Sequence, residues 1–249
     1  RAAVLDRARL EAELSAIAGP PIPPEEARNS PQGSSDPQTR AQVLQTLKAH
    51  MQTGRTEIHR RFYEEHATGR AVMQATCYLA DELIGAILGH VTQRLHPLAN
   101  PSAGEKICLA AVGGYGRGEL APHSDIDLLF LLPWKMTPHT EQVVEEVLYF
   151  LWDLGFKVGH ATRRVDDCLR MAKTDVTVRT NLLESRLLWG DRSLFDELTR
   201  RYAEEIQAKT AGEFIEAKLA ERDERHKRLG DSRYHLEPNI KEGKGGLRD

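Results

Sequence analysis

Residues 107–132 read ICLAAVGGYGRGELAPHSDIDLLFLL. A short apolar run ends in a glycine pair, a polar stretch follows, and a second apolar run opens with two aspartates. The pattern predicts two strands, Ile107–Val112 and Ile126–Leu132, joined through a glycine-rich turn. A charge inside such a strand is costly unless it is paired or holds a cation. Asp125 and Asp127 therefore constrain the fold and the chemistry together.

Side chains at i and i+2 of a strand share a face. Asp125 and Asp127 project together, while Ile126 and Leu128 turn to the other layer. Two adjacent carboxylates repel, which raises one pKa unless a cation stands between them. Hard divalent cations prefer oxygen ligands and often bridge to substrate phosphates. Two such ions about 4 Å apart clamp the attacking and leaving oxygens of a phosphoryl displacement. The glycine turn suits the same chemistry. Gly113 and Gly114 lack a Cβ, so the backbone can approach a ligand closely and take positive φ. Successive N–H groups in such a turn make an anion nest, and Ser124 and Arg117 add donors for a triphosphate.

Other phosphate-binding motifs do not fit. No GK[ST] follows the glycines, and Gly114, Gly116 and Gly118 are spaced by two, unlike GxGxxG. A bare pair of aspartates would as readily be the solvated edge of a hairpin. The ordered series of strand, GG turn and SDIDLL sets this run apart.

The flanking pattern extends the core. Thr140–Leu154 reads as a helix with Val143, Val144, Val147, Leu148 and Leu151 on its buried side, and Phe156–Arg163 as a third strand. Strand, turn, strand, helix, strand predicts an α/β-like core within an α+β protein: a small mixed sheet flanked by helices. Upstream, Val4–Ala18 reads as a helix stopped by Gly19-Pro20, and the Pro/Ser-rich stretch 19–40 as a mobile linker. That linker predicts a first helix docked loosely or seated on another chain. Helices follow at Arg40–Glu65, weakened by Gly54, and at Gly69–Leu95. Downstream, helices are expected at Thr174–Leu188, at Ser193–Gln207 with a Ser193/Asp196 capping pair, and at Ala211–Arg228. The expected division is an N-terminal helix (1–18), a linker (19–40), a core domain with its leading helices (41–192) and the start of a helical domain (193–249).

Composition narrows the classes. A net charge of −3 offers no basic footprint for nucleic acid. The three cysteines form no CxxC or CxxH pair, which argues against zinc and suits a reducing compartment. No run of about 20 consecutive apolar residues marks a membrane span. The chain begins at Arg1, as a trimmed or partial chain would.

The run GGYGRGELAPHSDIDLLFL resembles the nucleotidyltransferase superfamily that includes DNA polymerase beta and the aminoglycoside nucleotidyltransferases. Taken with LWDLGFKVGHATR, DVTVRTNLLESRLLWGD and LEPNIKEGKGGLRD, it is similar to the bacterial PII uridylyltransferase/uridylyl-removing family, from about Leu47 to the end of the chain. The resemblance implies a polymerase-beta-type fold and transfer of UMP from UTP to a tyrosine of the PII signal protein in the bacterial cytoplasm. It implies Mg²⁺ or Mn²⁺ at Asp125 and Asp127, and phosphates cradled by Gly113 and Gly114. Lys241, Lys244 and Arg248 would close over the triphosphate. The uridylyl-removing metal domain and the glutamine-sensing domains are expected outside this chain, which has no adjacent His-Asp pair.

One position departs from the superfamily. Its third carboxylate belongs on the strand FKVGHATR, where Gly159 and His160 stand instead. Asp175 and Glu184 are the nearest later acids, with Glu184 the candidate third ligand unless it pairs with Arg179 or Arg186. His160 reads as a structural histidine before a catalytic one, and His123 as a turn residue near phosphate. Two other functions remain open: an adenylyltransferase acting on glutamine synthetase, and a nucleotide-sensing or PII-docking module without turnover.

Overall fold

A computed structural model of the chain describes residues 3–27, 36–100, 102–228, 237, 239–241 and 243–246. Arg248 and residues 28–35 of the expected linker lie outside this set.

Four strands form one mixed sheet in the order β3-β2-β1-β4. They are β1 (Cys108–Ala111), β2 (Ile126–Leu132), β3 (Val158–Arg164) and β4 (Arg186–Gly190). β1 runs antiparallel to β2 and to β4, while β2 and β3 are parallel. Parallel strands need a crossover, supplied here by helix α5 (Pro138–Asp153), the fifth α-helix among the described residues. Thr137 caps α5 by accepting from Thr140 N at 3.2 Å, and Pro138 occupies its first turn, where no intrahelical N–H is needed.

The alternation of strand side chains divides the core in two. Leu109, Ala111, Ile126, Leu128 and Phe130 face α1 (Arg7–Ala18), α2 (Pro37–Tyr63), α3 (Gly69–His90) and α5. Cys108, Ala110, Leu129 and Leu131 face α6 (Val165–Ala172), α7 (Val176–Leu183) and α8 (Arg192–Tyr202). A charged helix, α9 (Ala208–Arg228), follows.

The first helix does not dock loosely. Leu10 and Leu14 are fully buried. Arg94, just beyond α3, donates to Gly19 O and Ser15 Oγ, both at 2.8 Å. The apolar stripe of α1 was legible, but a partner 75 residues away was not. The expected division at 193 likewise crosses continuous packing, because Leu194, Leu198 and Tyr202 of α8 fill the second core.

Gly54 has a packing role that its helix propensity hides. A Cβ there would stand 2.6 Å from Leu79 Cδ1 and 2.7 Å from Val4 O, so α2, α3 and the N-terminal segment meet at this glycine. The stretch Gly69–Leu95 is long and apolar enough to cross a bilayer by composition, yet Leu83, Ile84, Ile87 and Leu88 pack in the core.

Two expectations downstream are overturned. The helix expected over Thr174–Leu188 ends at Leu183, and residues 186–190 form edge strand β4 on β1. A short apolar run is ambiguous between helix and strand until a partner edge is known. The cap of α8 is Asp191, which accepts from Leu194 N at 3.2 Å and also binds the Ser193 hydroxyl, so the Ser193/Asp196 pair is not the helix start.

Candidate functional site

The site lies where β1 ends and β2 begins. Val112 N donates to Asp127 O at 3.0 Å, which ties the exit of β1 to the second aspartate. The chain then turns at Gly113, with φ at +60°, into one helical turn, α4 (Gly113–Gly116). An L side chain rarely accepts that φ. The expected glycine turn is thus a short helical turn, whose opening N–H groups have no partner within it.

Asp127 is lodged between two glycines. A Cβ on Gly113 would stand 3.5 Å from Asp127 Oδ2, and one on Gly159 would stand 2.3 Å from Oδ1. The register explains the second contact, since Asp127 pairs with Gly159 across the parallel strands. The same point on Gly113 lies 3.5 Å from Asn181 Oδ1 of α7, a neighbour of the site that sequence reasoning missed. Only the folding of α7 onto the turn brings it there.

Asp125 is exposed just before β2, and Asp127 is half-buried within it. Burial raises the Asp127 carboxyl above its ordinary value, and the charge of Asp125 adds to the rise. The second, smaller cause is the repulsion expected of neighbouring carboxylates; burial, the larger one, comes from the fold. Among the described residues neither aspartate has an ion-pair partner, although cations are plentiful elsewhere on the surface. Hard oxygens, mutual repulsion and no protein counter-charge make a donor set that fits a divalent cation. Among the described residues no group of three or more His, Cys, Asp or Glu gathers as a metal cluster. Further ligands to such an ion would come from substrate oxygens and water.

A half-buried network holds the glycine turn from behind. The Tyr115 hydroxyl donates to Asp81 Oδ1 at 2.7 Å. Arg186 grips the same carboxylate with Nη1 and Nη2, at 2.8 and 3.1 Å, and donates to Tyr115 O at 3.2 Å. Tyr115 is almost wholly buried, and burial followed by the Asp81 charge pushes its pKa well up, so it stays a donor. α3, α4 and β4 are thereby joined at one carboxylate. Close backbone packing completes the join, because a Cβ on Gly116 would stand 2.0 Å from Glu184 O.

The candidate third ligand is directed elsewhere. Glu184 Oε2 accepts from Arg117 Nη1 at 2.6 Å, not from Arg179 or Arg186. Asp175 caps α7, accepting from Thr177 N and Val178 N at 2.8 and 3.0 Å. Arg117 also lies 3.5 Å from Glu119 and 3.5 Å from the Cβ position of Gly114, so its guanidinium flanks the turn. Ser124 is exposed and adjoins Asp125, and its N–H closes a turn to Ala121 O at 3.1 Å. His123 holds that turn with φ at +67°. His160 is one residue out of phase with Asp127, faces the other layer and meets Trp152 edge-on at 6.2 Å. Lys241 lies in a turn closed by Gly243 N to Asn239 O and Lys244 in the next, closed by Gly246 N to Gly243 O, both at 2.9 Å, and neither is in ion-pair contact with Asp125 or Asp127.

A family model described as "Nucleotidyltransferase domain" matches residues 100–188, and one described as "GlnD PII-uridylyltransferase" matches residues 213–249. Curated relatives named bifunctional uridylyltransferase/uridylyl-removing enzyme include one from Rhodospirillum rubrum, 55% identical over 84% of this chain. Others are from Azospirillum brasilense, 56% identical over 84%, and from Erythrobacter litoralis, 46% identical over 99%. The chain spans 22% to 25% of the length of these relatives.

Proposed function

The chain belongs to the family of bifunctional uridylyltransferase/uridylyl-removing enzymes and carries a nucleotidyltransferase domain; from that premise we propose that it transfers UMP from UTP to a tyrosine hydroxyl of the PII protein. The observation that carries the reading is Asp127 lodged between Gly113 and Gly159, with Asp125 beside it and, among the described residues, no protein cation on either. In this reading Asp125 and Asp127 hold Mg²⁺ or Mn²⁺, and Glu184 is left to Arg117. The bound metal would neutralise charge on the triphosphate and polarise its phosphoryl oxygens.

The chain's own residues position the substrates. Backbone N–H groups at Gly113 and Gly114 and the Ser124 hydroxyl receive phosphate oxygens, and Asn181 orients the group above Gly113. Arg117 exchanges Glu184 for phosphate, and Lys241 and Lys244 add charge from the C-terminal turn. The tyrosine oxygen bonds to the α-phosphorus as the bond to the pyrophosphate oxygen breaks, and the hydroxyl proton leaves to water. Rate enhancement comes from positioning and charge placement. The setting is the bacterial cytoplasm, where three buried free thiols suit a reducing medium.

The test is transfer of label from UTP or ATP to PII with Mg²⁺, beside Asp125→Asn and Asp127→Asn. Label from UTP that is lost in both variants supports the proposal. Equal labelling in the variants overturns it. Label only from ATP favours the adenylyl reading.

A further inference from the structure

A cavity of about 1000 Å³ opens beside the site, on the opposite layer of the sheet from Asn181. α2 and α3 form one wall, with Met51, Ile58, Phe62 and Val72. Leu120–Ser124 and Gly155–Lys157 form the other, so the groove ends one residue before Asp125. Phe62 and Tyr63 stand on it 43% and 63% exposed, far more than ordinary aromatic residues of a core.

The charges on this groove have one sign. Arg55 and Lys157 line it, and among the described residues no Asp or Glu does. Arg55 and Lys157 are exposed and, among the described residues, neither side chain has an ion-pair partner. This differs from the rest of the molecule, where arginines are routinely matched with carboxylates, as at Arg60–Glu57 and Arg201–Glu205. A cationic rim over an apolar, methionine- and aromatic-lined floor is complementary to an acidic segment that carries an aromatic side chain. The volume exceeds what one side chain fills and accommodates several residues of extended chain.

We propose that this groove docks the acceptor polypeptide, as an acidic extended segment whose aromatic hydroxyl reaches the site past Ser124. The inference rests on the transfer reaction proposed above. In-line displacement brings the nucleophile in opposite the leaving pyrophosphate. The groove ends at Ser124, beside the exposed Asp125, so a hydroxyl carried by a segment lying in it arrives next to a carboxylate of the site.

The experiment uses PII as probe with the full chain, comparing wild type with the double variant Arg55→Glu, Lys157→Glu. Both side chains are exposed, and an unchanged melting temperature verifies the fold. The expected result is a KM for PII raised roughly tenfold, a KM for UTP within about twofold, and a weaker salt dependence of the PII term. An unchanged KM for PII in a labelling-competent variant overturns the docking proposal alone. A raised KM for UTP with PII unaffected also overturns it and assigns the groove to the nucleotide. If wild type transfers no label, the proposed function fails, and docking is read separately from the fluorescence anisotropy of labelled PII. Binding weakened about tenfold in the variant then supports the groove, and equal binding or none to wild type overturns it.

Discussion

Asp127 and Gly159 face each other across the parallel strands β2 and β3, so closely that a Cβ at 159 would lie 2.3 Å from Asp127 Oδ1. The strand position that resemblance reserves for a third carboxylate is filled by the second one. The clash is with the tip of a rotatable side chain, so Gly159→Ala should turn Asp127 aside and leave the fold intact. Expected is a fall in kcat of about a hundredfold with a melting temperature close to wild type. Steady-state labelling and a thermal melt check both halves, and a fully active variant would refute the lodging.

Gly116 offers the contrasting case. There a Cβ meets backbone, with Glu184 O at 2.0 Å and Ala111 O at 2.9 Å. Backbone cannot rotate away, so Gly116→Ala should cost about 1–3 kcal/mol in urea unfolding and lose activity with stability.

The Tyr115–Asp81–Arg186 network should position the turn without touching substrate. Asp81→Ala leaves a tyrosine hydroxyl and a guanidinium without their shared acceptor, at a cost of about 1–3 kcal/mol. Tyr115→Phe keeps the Arg186 clamp and should cost about 1 kcal/mol. If the network aims the turn, both variants raise the KM for UTP more than the KM for PII. A parallel change in both constants would mean a purely structural role.

The carboxyl of Asp127 gives a pH test. Its folded pKa lies above the ordinary 3.8, through burial first and Asp125 second. The folded chain therefore keeps this proton to higher pH than the unfolded chain does. The resulting stabilisation is fully present below the unfolded pKa and is lost as pH rises through the folded one. With a chelator present, Asp127→Asn should melt above wild type at neutral pH, and the gap should close as pH falls toward 3.8. Mg²⁺ should then raise the melting temperature of wild type and not of the variant.

The first helix should matter to stability. Leu14 is fully buried in the first core, so Leu14→Ala should destabilise by about 2–5 kcal/mol. A cost below 1 kcal/mol would restore the picture of a loosely docked helix.

Local patterns settled much of this protein. The glycine turn and SDIDLL announced the strands and the aspartates, because a two-residue period and a missing Cβ are properties of a few adjacent residues. The repulsion between the two carboxylates was legible for the same reason, while the burial that contributes most to the raised carboxyl of Asp127 was not. What needed the tertiary structure was every relation across long sequence separation. Arg186 joined β4 and reached Asp81, 105 residues away. Glu184 found Arg117, 67 residues away. Asn181 arrived at the turn on α7, and Gly159 left no room for a Cβ beside Asp127 as its carboxylate now stands. Spacing along a chain places side chains on a face, but packing of distant elements decides which faces meet and how much room remains between them.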